Sequence, residues 1–218
     1  KGKRLLPIVQ GGMGVGVSAH RLAGAVARAG AMGTIASVDL RHHHADLTER
    51  AKHCRDKDAL NRLNLIALDR EIKAALQIAA GHGLVAVNVM KAVEAHPAIV
   101  RQACASGAQA IVMGAGLPLD LPDLTEGYPG VALIPILSDA RGVAVVLKKW
   151  VRKEGLPDAI VIEHPLYAGG HLGAPNPADL AHARFDFAEV LPGVFKVFDD
   201  MGIARDRNAR SIVKSKAM

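Results

Sequence analysis

A histidine presented by a pair of glycines is the feature of this sequence best suited to chemistry. Residues 159–175 read AIVIEHPLYAGGHLGAP, with His171 directly behind Gly169 and Gly170. Lacking a Cβ, the two glycines let the backbone turn sharply and approach a flat or anionic ligand, which would leave the His171 imidazole at the rim of a site. The same residues also make a tight turn carrying a surface histidine, and only their context separates the two readings. A second candidate is QGGMGVG at residues 10–16, four glycines behind an apolar run, whose backbone N–H groups can face a ligand. A third is Asn88, near the end of the apolar run LVAVNV at residues 84–89. A buried amide there needs a partner, and strand carboxyl ends are where α/β folds hold their ligands.

The elements that must position these groups follow from periodicity and turn signals. Apolar, β-branched runs predict strands at residues 5–9, 33–37, 84–89, 110–112, 131–137 and 159–163. Helices are predicted at 19–29 with Ser18 as its N-cap, at 68–81, at 96–106 with Pro97 in the first turn, and from a Ser138-Asp139 cap through residue 153. A last helical stretch spans 187–201 and is expected to break at Pro192-Gly193. Strand plus helix recurs every ~25 to 35 residues, the repeat of a parallel sheet with right-handed crossovers. Ligand-competent residues recur only where strands end: 10–13, Asn88, 114–116, Ser138 and His171. Decorated ends on successive strands fit a TIM-type (β/α)8 barrel, whose sites are built from one rim, better than an open doubly wound sheet. The dinucleotide fingerprint is not met: Val17 stands where a Gly or Ala is wanted, and no acidic residue ends the next strand.

Composition excludes several classes of function. The 218 residues are 50% hydrophobic but only 3% aromatic, so the core must be built from Ala, Val, Leu and Ile. The formal charge is +6, yet Lys and Arg are dispersed, and four Phe, two Tyr and one Trp are too few to stack bases, so no nucleic acid is expected as partner. No apolar run reaches the ~20 residues of a membrane span, and nothing at the start reads as a signal peptide. Cys54 and Cys104 stand outside any CxxC or metal-ligand spacing, which points to a reducing cytoplasm. The run Arg41-His42-His43-His44 is read as a solvated helix start and not as a metal site, because side chains of consecutive residues diverge.

Taken together, these residues resemble the FMN-dependent nitronate monooxygenase family, formerly the 2-nitropropane dioxygenases, whose nearest relatives are the flavin-dependent enoyl-acyl-carrier-protein reductases. The resemblance is carried, in order and to about Gly202, by PIVQGGM at 7–13, AGAMGT at 29–34, VNVM at 87–90, GAGLP at 114–118 and AGGHLG at 168–173. It implies an FMN-binding TIM barrel in which Gln10, Gly11, Gly12, Met13 and Asn88 lie against the flavin, with Gly169 and Gly170 beside it. His164 stands where the family commonly has a flavin-contacting Gln, and His171 matches the family's histidine at the reacting edge of the ring.

The activity so implied is oxidation of a nitronate or nitroalkane by dioxygen to a carbonyl compound and nitrite. His171 would be the proton acceptor if the substrate is neutral, and Glu163 is as much a structural carboxylate as a participant. The alternatives are an NAD(P)H-dependent enoyl-thioester reductase on the same fold, and a non-catalytic barrel remnant. A homodimer is the candidate assembly. A complete barrel takes about 250 residues. Here about six βα units are expected within residues 1–203, the barrel is incomplete, and no residue can be assigned to the FMN phosphate. Residues 204–218, ARDRNARSIVKSKAM, are expected to be a basic segment, either the end of a truncated chain or a fragment joined across missing residues.

Overall fold

The structure, a computed structural model, describes residues 3–153, 155–168 and 176–203. Its elements in order are α1 His20–Arg28, β1 Met32–Ala36, α2 Ala45–Ala51, α3 Lys57–Ala79, β2 Leu84–Met90, α4 His96–Ala105, β3 Ala110–Gly114, α5 Leu121–Leu124, β4 Ala132–Leu137, α6 Ala140–Val151, β5 Val161–Ile162 and α7 Phe187–Asp200. The five strands form one parallel sheet in sequential order, β1-β2-β3-β4-β5. Helices connect the strands in the manner of an incomplete (β/α) barrel.

Side-chain alternation along the strands sorts the interior into two layers. Ile35, Val85, Val87, Val89, Ile111, Met113 and Leu137 point outward into the main core, where they meet Ala23 and Ala27 of α1, Ile72 and Ala75 of α3, Val100 of α4 and Trp150 of α6. Met32, Ala86, Ala110, Val112, Ala132 and Ile134 point the other way into a smaller cluster. The register aligns Thr34, Ala86, Ala110 and Ala132 in one inner layer and Ala36, Asn88, Val112 and Ile134 in the next. Asn88 is thus the polar member of an otherwise apolar layer near the carboxyl ends of the strands.

Several expectations need correction. Residues 5–9 make no strand: the segment runs beside β1 with a single bridge, Val9 to Met32, and hydrogen bonds from Leu6 N to Gly30 O and from Gln10 N to Met32 O, both 2.9 Å. Pro7 has no N–H to donate, and Leu6 and Ile8 remain exposed, so five strands are formed where six were expected. The helix expected at 68–81 starts eleven residues earlier, because Asp56 caps it by accepting from Asp58 N at 2.9 Å and Leu63 and Ala67 extend its buried face. Ser18 is not the cap of α1; that position belongs to Ala19, which offers no side-chain bond. Nor does α7 break at Pro192: the helix runs through it, held by Val190 and Val194, which are buried in the main core on the side that packs against α6.

The short β5 is Val161–Ile162, inside the expected 159–163, and the other strands fall within a residue or two of their expected bounds. Residues 204–218 lie outside the described residues. Among those described, no helix is long and apolar enough to cross a membrane.

The outer layer is tied to the strand exits by Trp150, fully buried in α6, whose Nε1–H donates to Pro118 O at 3.0 Å. Trp150→Phe keeps a ring in the core and leaves that carbonyl, among the described residues, only the 3.4 Å bond from Leu121 N, so the urea midpoint followed by circular dichroism should fall by the equivalent of about 1 kcal/mol.

Candidate functional site

The loop before α1 is organised by one hydroxyl. Ser18 is fully buried, and its Oγ accepts from Met13 N at 2.9 Å and from Gln10 Nε2 at 2.9 Å while donating to Gly11 O at 3.2 Å. Its own N–H donates to Met13 O at 3.0 Å, and Ala36 N at the end of β1 donates to Ser18 O at 3.0 Å. The side chain that sequence assigned to a helix cap therefore closes the glycine loop on itself, and the Ser18 carbonyl fastens it to the end of β1.

That fastening brings the loop onto Asn88. An ideal Cβ built on Gly12 would fall 2.5 Å from the Asn88 Cβ, a contact no side chain tolerates, so only glycine lets the backbone lie there. Asn88 O accepts from Ser37 N at 3.2 Å, which joins the ends of β1 and β2 beneath the loop. Among the described residues the Asn88 amide makes one long hydrogen bond, from Nδ2 to Val112 O at 3.4 Å. A side-chain amide has two N–H donors and an oxygen with two lone pairs, so most of this half-buried group's capacity is left for a ligand.

Of the residues expected from sequence, Gln10, Gly11, Gly12, Met13 and Asn88 are brought together at the carboxyl ends of β1 and β2. Within that group Gln10 plays a different part. Its Oε1 accepts from Thr34 N at 3.0 Å and its Nε2 donates to Thr34 O at 3.1 Å and to Gly11 O, so its amide is spent on the protein's own backbone. His164 stands at the end of β5, at the opposite edge of the sheet order. It is buried, its Nδ1 accepts from Leu166 N at 3.2 Å, its Nε2 lies 3.2 Å from Asp186 Oδ1, and Tyr167 and Phe187 flank its ring. Its Nδ1 is engaged by the turn that follows the strand and its Nε2 by Asp186 at the start of α7. Glu163 beside it is also buried. Gly169, Gly170 and His171 lie outside the described residues.

The three consecutive histidines do diverge. His42 lines a surface cleft with Thr48 and Cys54, His43 packs against Gly16, and His44 turns inward to α3. Cys104 is no nucleophile, since burial pushes its thiol up to about 11.

The same rim carries a cluster that sequence reading missed. Lys91 follows β2, donates its N–H to Gly114 O at 2.7 Å, and places Nζ 2.7 Å from both Asp120 Oδ2 and His96 Nε2. His96 Nδ1 lies 2.9 Å from Val93 O, so the ring is fixed by the backbone on one side and by the ion pair on the other. These three residues come from the loops after β2 and β3, and no local spacing announces them. Burial opposes the charge on Asp120, but the hydrogen bonds from Lys91 and His96 outweigh it and hold the carboxyl below its ordinary 3.8.

Comparison with known proteins follows this geometry. A family model described as nitronate monooxygenase matches residues 3–203. A structure of FabK from Thermotoga maritima aligns with a TM-score of 0.52 and 20% identity over 75% of this chain and 42% of that one. The M276A mutant of the same protein aligns with a TM-score of 0.52 and 20% identity, over 77% and 45%. A nitroalkane oxidase from Streptomyces ansochromogenes is 18% identical over 91% of this chain and 87% of that one, with a TM-score of 0.33. The chain thus spans less than half the length of the FabK structures it matches. No match is found among curated protein sequences.

The depressed Asp120 value has a direct consequence. A carboxyl whose folded value lies below its unfolded value contributes stability above the unfolded value, and that contribution is lost as pH falls through the folded value. Lys91→Met removes the main bond holding the value down, so its urea midpoint should fall less steeply than that of the wild type between about pH 5 and pH 2.

Proposed function

The chain belongs to the nitronate monooxygenase family, and from that premise we propose that it acts as an FMN-dependent oxidoreductase on nitronates or nitroalkanes. The family match over residues 3–203 carries the reading. The contact of Gly12 with Asn88 supports it, because a backbone with no side chain and an amide with unspent capacity meet where a planar heterocycle with ring N–H and carbonyl groups needs them. FMN would supply the redox chemistry, accepting electrons from the substrate carbon and passing them to dioxygen.

This chain's residues bind and orient. Gly11, Gly12, Met13 and Asn88 would hold the flavin, the glycines through bare backbone and Asn88 through its amide. Gln10 acts through Thr34 by holding the loop, so it is a positioning residue rather than a ligand. His171, beside Gly169 and Gly170, takes the proton from the carbon next to a neutral nitro group, an effect worth roughly 10²–10⁴-fold. An anionic nitronate needs no base, and the same imidazole then hydrogen-bonds the nitro oxygens. Overall, two nitronates and one dioxygen give two carbonyl compounds and two nitrite ions.

The test is a visible spectrum of the purified chain reconstituted with FMN, followed by anaerobic addition of a nitronate. Bleaching of the flavin band, with nitrite formed on admitting air, is the expected result. An unchanged oxidised spectrum contradicts the proposal. NAD(P)H oxidation driven by an enoyl thioester, without any response to nitronate, would replace it with the reductase reading, and a chain that stays colourless with FMN would replace it with a non-catalytic barrel remnant.

A further inference from the structure

Glu71 is the one acidic residue on the buried face of α3, 1% exposed among Ala67, Leu68, Ile72 and Ala75. A carboxylate costs several kcal/mol in such a place unless hydrogen bonds and opposite charge compensate it, on the order of the ion-burial penalty. Both of its oxygens are used. Oε2 accepts from the backbone N–H of His20 at 2.7 Å and lies 2.7 Å from His20 Nδ1, a geometry in which both N–H groups of that residue donate to one oxygen. Oε1 lies 3.1 Å from His44 Nε2, within ion-pairing distance.

The two histidines belong to the two segments that flank the glycine loop. His20 is the first residue of α1, immediately after that loop, and the N–H it donates is one of those a helix start leaves without an internal partner. No side chain caps α1 locally, so the carboxylate from α3 does so from 51 positions away. His44 ends the turn that leaves β1, next to His43. An ideal Cβ on Gly16 would fall 1.4 Å from His43 Nε2, so the loop runs directly against that turn. Among the described residues no group fits a metal ion; the His20 imidazole hydrogen-bonds Oε2, and His44 Nε2 meets Oε1 at 3.1 Å without the geometry of a hydrogen bond.

We propose that Glu71 is a positioning residue for the cofactor loop. Its buried carboxylate fixes the start of α1 through His20 and the β1 exit through His44, and so holds residues 11–17 between these two walls and against Asn88. The assignment of that loop to FMN rests on the function proposed above; the mechanical coupling from Glu71 to the loop does not.

Glu71→Gln keeps the shape of the side chain, but an amide carries no charge and accepts at one end only, so it cannot offer an oxygen to both histidines. Hydrogen exchange followed by mass spectrometry on the flavin-free chain should show peptides spanning residues 11–20 exchanging faster in this variant, on the order of tenfold, with β2 and β3 unchanged. Ser106→Ala is the matched control: it removes the 2.7 Å hydrogen bond to Asp69 on the same helix and should leave the loop at the wild-type rate. Equal loop exchange in Glu71→Gln and wild type, or an equal rise in Ser106→Ala, overturns the proposal. If Glu71→Gln does not fold, His44→Gln removes one arm from a half-buried position and is read in the same way.

An FMN titration of the same proteins should show affinity reduced about tenfold by Glu71→Gln. Faster loop exchange with unchanged FMN affinity overturns the link to the cofactor. A wild-type chain that binds no FMN instead overturns the function proposed above, while the exchange comparison still decides the coupling.

Discussion

Parallel pairing in sequential order is the constraint on which the rest of this structure depends. When β1 to β5 follow one another in the sheet with the same polarity, every strand delivers its carboxyl end to one rim, and every loop leaving that rim has the same neighbours. Asn88, Lys91, the 114–116 turn and His164 share a rim for this reason, and the glycine loop is brought to it by the hydrogen bonds of Gln10 and Ser18 to β1. The same alternation that sends Val85, Val87 and Val89 into the helical layer turns Asn88 inward, since side chains two apart share a face.

Within that rim, most polar groups are committed to the protein itself. Ser18 and Gln10 are consumed in tying the loop to β1, His164 in the turn after β5, and Lys91, His96 and Asp120 in joining two neighbouring loops. Among the described residues the Thr34 and Ser37 hydroxyls and Asp120 Oδ1 are buried without a hydrogen-bond partner, and the Asn88 amide, with one long bond, lies in contact with bare backbone. Rigid surroundings and an uncommitted amide together describe a preformed binding surface, in which little conformational freedom is left to lose when a ligand arrives.

The strands were largely legible because β2, β3 and β4 are short apolar runs ending in Asn, Gly or Ser, and a sheet buried on both faces permits no other composition. The run at 5–9 has the same look, but an apolar run does not disclose that its chain has a partner on one side only. The start of α3 was hidden by charge: residues 57–62 are mostly polar because they are the solvated first turns of a helix whose buried face begins at Leu63. Ser18 satisfied the local rule for a cap, and tertiary contacts overrode it. Glu71 was invisible for a related reason. A glutamate within a long helix reads as surface, and only the arrival of two histidines from distant segments explains its burial. The Lys91 cluster needed two loops placed side by side, which spacing along one chain does not encode.

Membership of the nitronate monooxygenase family, the Gly12 contact and the spare amide of Asn88 support the proposal that FMN binds at the ends of β1 and β2. Fluorescence titration of FMN into the wild-type chain and into Asn88→Leu tests it most directly, since the substitution keeps side-chain volume and removes the amide. The account predicts saturable binding to the wild type, weakened on the order of tenfold or more in the variant. Equal affinity in the two proteins, or no binding by the wild type, would contradict it.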